Sequence, residues 1–186
     1  MQLALSDYPR GAELAGALVA TAPRVWHGVE KLGTPGEVDA LLAEHGFAGS
    51  CTPAELDGVR DLRTELRAIV DAAVAGEETG VVVRRASALA AGGLTLGEAG
   101  PARGGLPAWV FGSDAGLVEG LAAVTGVGLL GAVRALGPER FRACAAPFCE
   151  GAFVDVSRAG RRRYCMPDLC GNRVHVANHR ARRRSG

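Results

Sequence analysis

Apolar residues three and four positions apart recur along most of this chain, and the clearest run lies between residues 56 and 73. Leu56, Val59, Leu62, Leu66, Ile69 and Ala73 share one helical face, while Asp57, Arg60, Arg63, Arg67 and Asp71 fall largely outside it. The run opens on TPAE at Thr52–Glu55, and TPGE at Thr34–Glu37 announces an earlier helix in the same way. In both, threonine caps an orphan N–H, proline has none to lose, and glutamate reciprocates three residues on. The earlier helix should reach about His45 and stop at Gly46. Leu14, Leu18 and Val19 place a helix over roughly Pro9–Thr21, ended near Pro23.

A long apolar run from Asp114 to Leu136 presents Leu117, Leu121, Val124, Gly128 and Ala132, and stops at Gly137-Pro138. Glycines 120, 126, 128 and 131 interrupt it. Each costs helix propensity of up to about 1 kcal/mol, which close packing against other helices would explain. VVV at 81–83 suggests a short strand, and residues 92–107 read as a loop around a second strand near Leu94–Leu96. The expected architecture is mainly α: a helical N-terminal domain over residues 1–137, with short strands.

After residue 137 the pattern changes. Phe153–Val156 alternates as a strand should, SRAG at Ser157–Gly160 supplies a turn, and RRRYC at 161–165 would return as the hairpin partner. MPD then starts a helix with Asp168 or a neighbour as its cap. Cys170, Val174, Ala177 and Ala181 would face inward, and Arg173, Arg180 and Arg184 would line an adjacent stripe. Residues 138–186 are thus expected to form a small α+β domain of hairpin and helix.

Charge divides the chain at the same place. The net formal charge of +1 conceals a balance of −7 over residues 1–139 and +8 over residues 140–186, the latter from 11 arginines against 3 acidic residues. A basic module on an acidic body fits polyanion binding by one part and a different task for the other. Aromatic residues make up only 5% of the chain, so alanine, leucine and valine must build the core. The start, MQLALSDYPR, has no positively charged leader and no long apolar run, and Gly120–Val133 is too short to span a bilayer. These features lead us to expect a cytoplasmic protein with no membrane partner.

The body carries no GxSxG, glycine-rich phosphate loop or HExxH, so no enzyme is expected. His27 and His45 are isolated and read as caps or half-buried polar groups. Glu30, three residues after His27, does not complete a ligand set. Cys51 fits either a buried thiol or a helix-start thiol of lowered pKa.

The other four cysteines carry the chemistry. Cys144 and Cys149 form one C-x4-C pair, Cys165 and Cys170 another, with fifteen residues between them. Two thiolate pairs joined by a hairpin-length loop are the layout of a closed tetrahedral zinc site, with no coordination position left for a substrate. Clustered cysteines in a reducing compartment bind metal more readily than they form disulfides. Iron–sulfur ligation is the rival reading, although its usual spacings differ. One structural Zn2+ per chain is expected, supplying stability that so small a core lacks. Cys170 would sit in the first helical turn, where free N–H groups favour a thiolate.

The arginines suggest a nucleic-acid partner. Arg161, Arg162 and Arg163 in the hairpin and Arg180, Arg182, Arg183 and Arg184 at the helix end are natural phosphate contacts. His175, Asn178, His179 and Arg180 could reach base edges in a major groove. Asn172 and Arg173 lie beside the metal ligands and suit hydrogen bonds that hold the knuckle, with base contact by Arg173 as the alternative. Tyr164 could cover the small core or stack on a base.

The segment running from Cys144 through FVDVSRAGRRRYC to CGNR and NHRARRR resembles the CGNR zinc finger family, named for the motif that here is Cys170-Gly171-Asn172-Arg173. These bacterial proteins, common in actinomycetes, carry the finger after a mainly helical domain of the kind called ABATE. The resemblance implies that Cys144, Cys149, Cys165 and Cys170 ligate zinc, and that Arg173 is the signature arginine. Tyr164 stands where an aromatic residue, often tryptophan, is usual. The implied function is transcription regulation through double-stranded DNA, with dimerisation or sensing of a small effector assigned to the helical domain. The alternative is a zinc-stabilised module for RNA or protein, without sequence-specific DNA readout.

Overall fold

The computed structural model describes residues 7–91, 94–96, 109–111 and 116–184. Helix α1 (Tyr8–Ala20) lies at the centre, packed on α5 (Leu117–Leu136) and α3 (Leu56–Val74). Helix α2 (Pro35–Glu44) follows a 3-10 turn at Pro23–Trp26, and α4 (Thr79–Leu89) covers α3 and α5. Strands β1 (Leu94–Leu96) and β2 (Trp109–Phe111) pair antiparallel, with Thr95 opposite Val110. Strands β3 (Phe141–Ala143) and β4 (Ala152–Val154) form a second antiparallel pair, and α6 (Asn172–Arg184) ends the described chain. The fold is the expected mainly helical body with a small hairpin-and-helix module.

The two TPxE motifs have different results: the first caps its helix as expected, and the second forms a turn ahead of α3 rather than its cap. The Glu37 carboxylate accepts the Thr34 N–H at 2.8 Å in a capping box, and α2 begins at Pro35. It ends through Gly46, whose positive φ of 70° marks the stop. In the second motif the Glu55 carboxylate accepts both the N–H and the hydroxyl of Thr52, at 2.9 and 2.7 Å, yet α3 starts only at Leu56. The other Glu55 oxygen accepts the Leu117 N–H at 3.0 Å, so one side chain ties the starts of α3 and α5 together. The strand expected at 81–83 is instead the first part of α4. Val82 and Ala86 stand one turn apart and are buried, so helix packing overrides the preference of three β-branched residues. Most of the loop expected at 92–107 lies outside the described residues, but the strand expected near Leu94–Leu96 is present as β1.

The glycines of α5 are contact points. A Cβ on Gly126 would come within 2.7 Å of the Ala90 nitrogen and 2.8 Å of the Ala86 oxygen. One on Gly128 would collide with the Ala12 nitrogen and the Gly11 backbone. Helix α5 therefore touches α4 and α1 backbone to backbone. It is long and apolar enough to cross a membrane by length and composition, but these contacts are those of a core helix. Its end at Gly137-Pro138 is as expected.

Arg63 departs from the sequence reading. Expected outside the apolar face of α3, it is only 6% exposed. Its two terminal nitrogens donate to the two oxygens of Glu30 at 2.6 and 2.7 Å, and Nη1 also reaches the Thr21 hydroxyl at 3.3 Å. Periodicity marks which side of a helix faces inward, but not the rim where a long arginine can reach a buried partner. Glu30 thus serves Arg63 rather than His27, which is exposed and ends the Pro23–Trp26 turn in a left-handed conformation. The Arg63 hydrogen bonds, opposed by burial and aided by the Leu32 N–H, hold the Glu30 carboxyl down from 4.5 to about 2. A depressed carboxylate stabilises the fold above its unfolded pKa and loses that contribution as pH falls through its folded one. Between pH 4.5 and about 2, wild type should lose about 2 kcal/mol more than Glu30→Gln. Urea midpoints that fall equally in the two proteins over this window would contradict it.

Cys51 is a buried thiol. Its N–H donates to Asp39 at 2.7 Å, and burial, with Glu55 and Asp39 nearby, pushes the thiol up rather than down. His45 caps α2, as one of the two readings had it.

Candidate metal centre and basic helix

The β3–β4 hairpin holds the first cysteine pair in its loop. The sequence suggested that Phe153–Val156 would pair with RRRYC; β4 instead pairs with the earlier segment β3, placing Arg142 opposite Phe153. The reason is Asp155. Its carboxylate is fully buried and accepts the N–H and hydroxyl of Ser157 at 3.1 and 2.6 Å and the N–H of Arg162 at 2.9 Å. Arg142 lies 3.5 Å from the same carboxylate. Burial would raise the Asp155 pKa, but these hydrogen bonds, with Arg142 nearby, lower it overall. A strand ladder beside β4 would compete for the Arg162 N–H, and the buried carboxylate takes it instead. The 161–165 segment crosses back as extended chain, joined to the hairpin loop where the Ala145 N–H donates to the Arg163 carbonyl at 2.8 Å.

Adjacent residues of the hairpin face opposite ways. Phe141, Ala152 and Val154 enter the main helical core, where β4 lies against α1 and β3 against α3. Phe153 faces a second, smaller core with Ala146, Cys165 and Cys170, edged by Cys144, Cys149, Tyr164, Met166 and Val174. Glu150, next to Cys149, is also tied to the body. Arg24 bonds it at 3.1 Å and approaches Asp71 of α3 at 3.6 Å. These are exposed pairs, and such contacts orient more than they stabilise.

The four cysteines converge. Their sulfurs all lie within 4.8 Å of one another. Cys149 is 3.6 Å from Cys165 and 3.7 Å from Cys170, and Cys165 is 3.8 Å from Cys170. Four sulfurs around one tetrahedral ion with metal–sulfur bonds of ~2.3 Å stand ~3.8 Å apart, so these edges fit a single ion. The cluster can hold a metal, as the paired spacing predicted. Gly151 leaves the space for it: a Cβ there would meet the Cys165 sulfur at 2.5 Å and the Cys149 sulfur at 3.1 Å. The Gly151 N–H donates to the Cys149 sulfur at 3.3 Å.

Burial, together with the neighbouring sulfurs, pushes the Cys165 thiol up and raises Cys170 to about 11. Desolvation thus outweighs the helix-start argument for a thiolate at Cys170. Cys144 goes the other way. Burial would raise it too, but hydrogen bonds from the backbone of Ala146 and Cys165 prevail and lower it.

Cys170 sits in a π-helical turn, Pro167–Gly171, whose Cys170 N–H donates to the Met166 carbonyl at 2.8 Å. Gly171 packs under the Tyr164 ring, 3.2 Å from where a Cβ would stand, so Tyr164 covers the small core. The Asn172 side chain donates to the Asp168 carbonyl at 2.6 Å and holds the turn. From there α6 leaves the molecule. Val174 alone is half-buried, and every other residue from Asn172 to Arg184 is exposed. Ala177 and Ala181, expected to face inward, do not, because the small core ends at Val174. Helix α6 thus projects with His175, Asn178, His179, Arg180, Arg182, Arg183 and Arg184 on its surface. Arg173 is exposed at its start, with no hydrogen bond to the described residues. Arg161 and Arg163 are also exposed, the latter over the Tyr164 ring at 5.7 Å.

Arg162 has a different environment. It lies over Phe153 at 4.9 Å and donates to the Tyr164 carbonyl at 2.9 Å and to the Cys165 carbonyl. Its guanidinium is committed to the segment that bears Cys165. Neither this nor the roles of Asp155 and Arg63 followed from the sequence; the aspartate between two valines in FVDV was the available signal for Asp155.

A helical body carrying a small hairpin-and-helix module, with four cysteines that can hold one metal ion, defines the zinc-finger class of fold. The comparisons place the chain within that class. Residues 140–183 match the family model described as "CGNR zinc finger", and residues 12–146 match ABATE, described as "Putative stress-induced transcription regulator". The chain belongs to the ABATE family and carries a CGNR zinc-finger domain at its C-terminal side. Both are regulatory domains, not enzymes. The two matches overlap over residues 140–146, which contain β3. No curated protein matches the chain significantly.

Proposed function

We propose that this protein is a DNA-binding transcription regulator that reads duplex DNA with α6, and that one structural Zn2+ held by Cys144, Cys149, Cys165 and Cys170 fixes that helix to the body. The observation that carries the reading is a helix exposed on all sides except at Val174, rich in arginine, and starting directly from the cysteine cluster. Its 13 residues make it about 20 Å long, enough to lie across a major groove ~12 Å wide. His175, Asn178, His179 and Arg180 would reach bases, while Arg182, Arg183 and Arg184 would meet phosphates.

The donor set supports zinc. Four sulfurs within 4.8 Å leave room for one ion and none for a multi-iron cluster. Ligation would displace the thiol protons that burial retains at Cys165 and Cys170. With all four positions filled by protein, the ion supplies cross-linking and no chemistry. Residues 1–137 would act as the body, in dimerisation or effector sensing, and residues 138–186 as the reader, in the cytoplasm.

The test is to sequence the genomic duplex fragments retained by zinc-loaded protein at about 0.15 M salt. A reproducible enriched motif is expected, and an inverted repeat would indicate a homodimer. Retention without sequence preference would overturn the regulator reading in favour of a general polyanion, RNA or protein contact.

A further inference from the structure

The segment between Asp155 and Arg162 is tied at both ends and braced from one side. The Asp155 carboxylate closes both ends, binding Ser157 by N–H and hydroxyl and Arg162 by N–H. From outside, the Arg140 guanidinium donates to the Asp155 and Ser157 carbonyls at 3.0 and 2.9 Å. The Gly160 N–H donates to the Ser157 carbonyl at 3.1 Å. Gly160 takes a left-handed φ of 59°, and a Cβ there would meet the Arg140 guanidinium at 2.5 Å. These hydrogen bonds hold the loop in a conformation that glycine at position 160 fits without strain.

This fixed loop carries two unoccupied guanidiniums. Ser157, Arg158, Ala159 and Arg161 are exposed, and neither Arg158 nor Arg161 makes a hydrogen bond or ion pair with the described residues. No acidic side chain lies between Asp155 and Asp168, so nothing in this stretch competes for them except the buried Asp155. Arginine in a loop ordered beforehand suits phosphate: its planar fork matches two phosphate oxygens, and the ordering entropy is already lost on folding.

We infer that loop 157–161 is a second DNA contact, separate from α6, in which Arg158 and Arg161 grip the phosphate backbone while Arg162 takes no part. Arg158 was absent from the residues that the sequence put forward, and Arg162, one of a run of three arginines, was among them. Asp155 and Arg140 are positioning residues for this contact. The inference rests on the DNA-binding reading above and adds a place and a partner group to it.

The experiment measures affinity of the full zinc-loaded chain for an enriched duplex across salt from about 0.05 to 0.2 M. Arg158→Ala/Arg161→Ala should reduce the slope of log affinity against log salt by roughly 2, with the preferred motif unchanged. Lysine at both positions should keep the slope. Asp155→Asn keeps the number of arginines and loosens the loop, so it should weaken binding with little change of slope. A double-alanine variant with the wild-type slope, when Arg180→Ala/Arg183→Ala lowers it, would overturn this inference and leave α6 as the DNA contact. Absence of salt-dependent binding in the wild type would instead overturn the DNA reading itself, and this inference with it.

Discussion

Removing the Zn2+ proposed above, or replacing Cys170 by serine, is expected to lower the melting temperature of the whole chain by roughly 10 °C, and not merely to unfold residues 140–184. A finger attached by a linker would melt by itself and leave the body intact. Here Phe141, Ala152 and Val154 belong to the same buried cluster as Leu14, Leu18, Leu66 and Val70. The opposite face of β4 puts Phe153 against the cysteines. If the cluster opens, the loop from Cys144 to Gly151 loses its anchor and the hairpin comes away from α1 and α3. Withdrawing one phenylalanine and one valine costs on the order of 4 kcal/mol, an upper figure because unfolded chains already bury some apolar surface. In a chain of this size each kcal/mol moves Tm by about 2–4 °C. Far-UV circular dichroism of zinc-loaded and chelator-treated protein measures the shift. A body that melts at the same temperature in both would show that the two cores are independent.

Gly128→Ala should destabilise the protein by about 3 kcal/mol, at the upper end for one added methyl group. The reason is what the methyl meets. At most overpacked sites a side chain can turn away, but here the obstacles are the Ala12 nitrogen and the Gly11 backbone. Helices α1 and α5 would have to separate, and the central contact of the body would open. Gly36 is the control: it lies in α2, is exposed, and has nothing within 4 Å of a Cβ. Gly36→Ala should gain up to about 1 kcal/mol through helix propensity. Urea denaturation of the two variants measures both. Similar midpoints would mean that α1 and α5 can slide apart at little cost.

The glycines of α5 also show where sequence reading stops. Their number within an apolar helix pointed to close packing, but the sequence could not say that Gly128 faces Gly11 and Gly126 faces Ala86. The helix start at Thr34 was legible because capping is local, whereas TPAE at Thr52–Glu55 marked its helix one turn early. The four metal-capable cysteines were legible because one ion needs paired ligands at short spacing. What failed depended on partners far along the chain. Val81–Val83 became helix because α3 and α5 offered it a surface. β4 took its partner from before the cysteine pair because a buried aspartate claimed the segment after it. Arg162 looked like its two neighbours in sequence, and packing on Phe153 with hydrogen bonds to the Tyr164 and Cys165 carbonyls sets it apart.

The hairpin that faces two cores has a consequence for how such proteins diversify. A DNA reader joined at a clean border could be exchanged between relatives, acquiring new targets while the old body was kept. Here the border runs through the thickness of one strand pair, and the two family matches overlap on β3. A chimaera cut after residue 137 would give the recipient body a foreign Phe141, Ala152 and Val154 to accommodate. Recombination across this seam is therefore penalised, whereas substitutions along α6, which touches the small core only through Val174, are nearly free of structural cost. If α6 reads DNA as proposed, new specificity in this lineage should arise by point change on the projecting helix, with body and finger inherited as a pair.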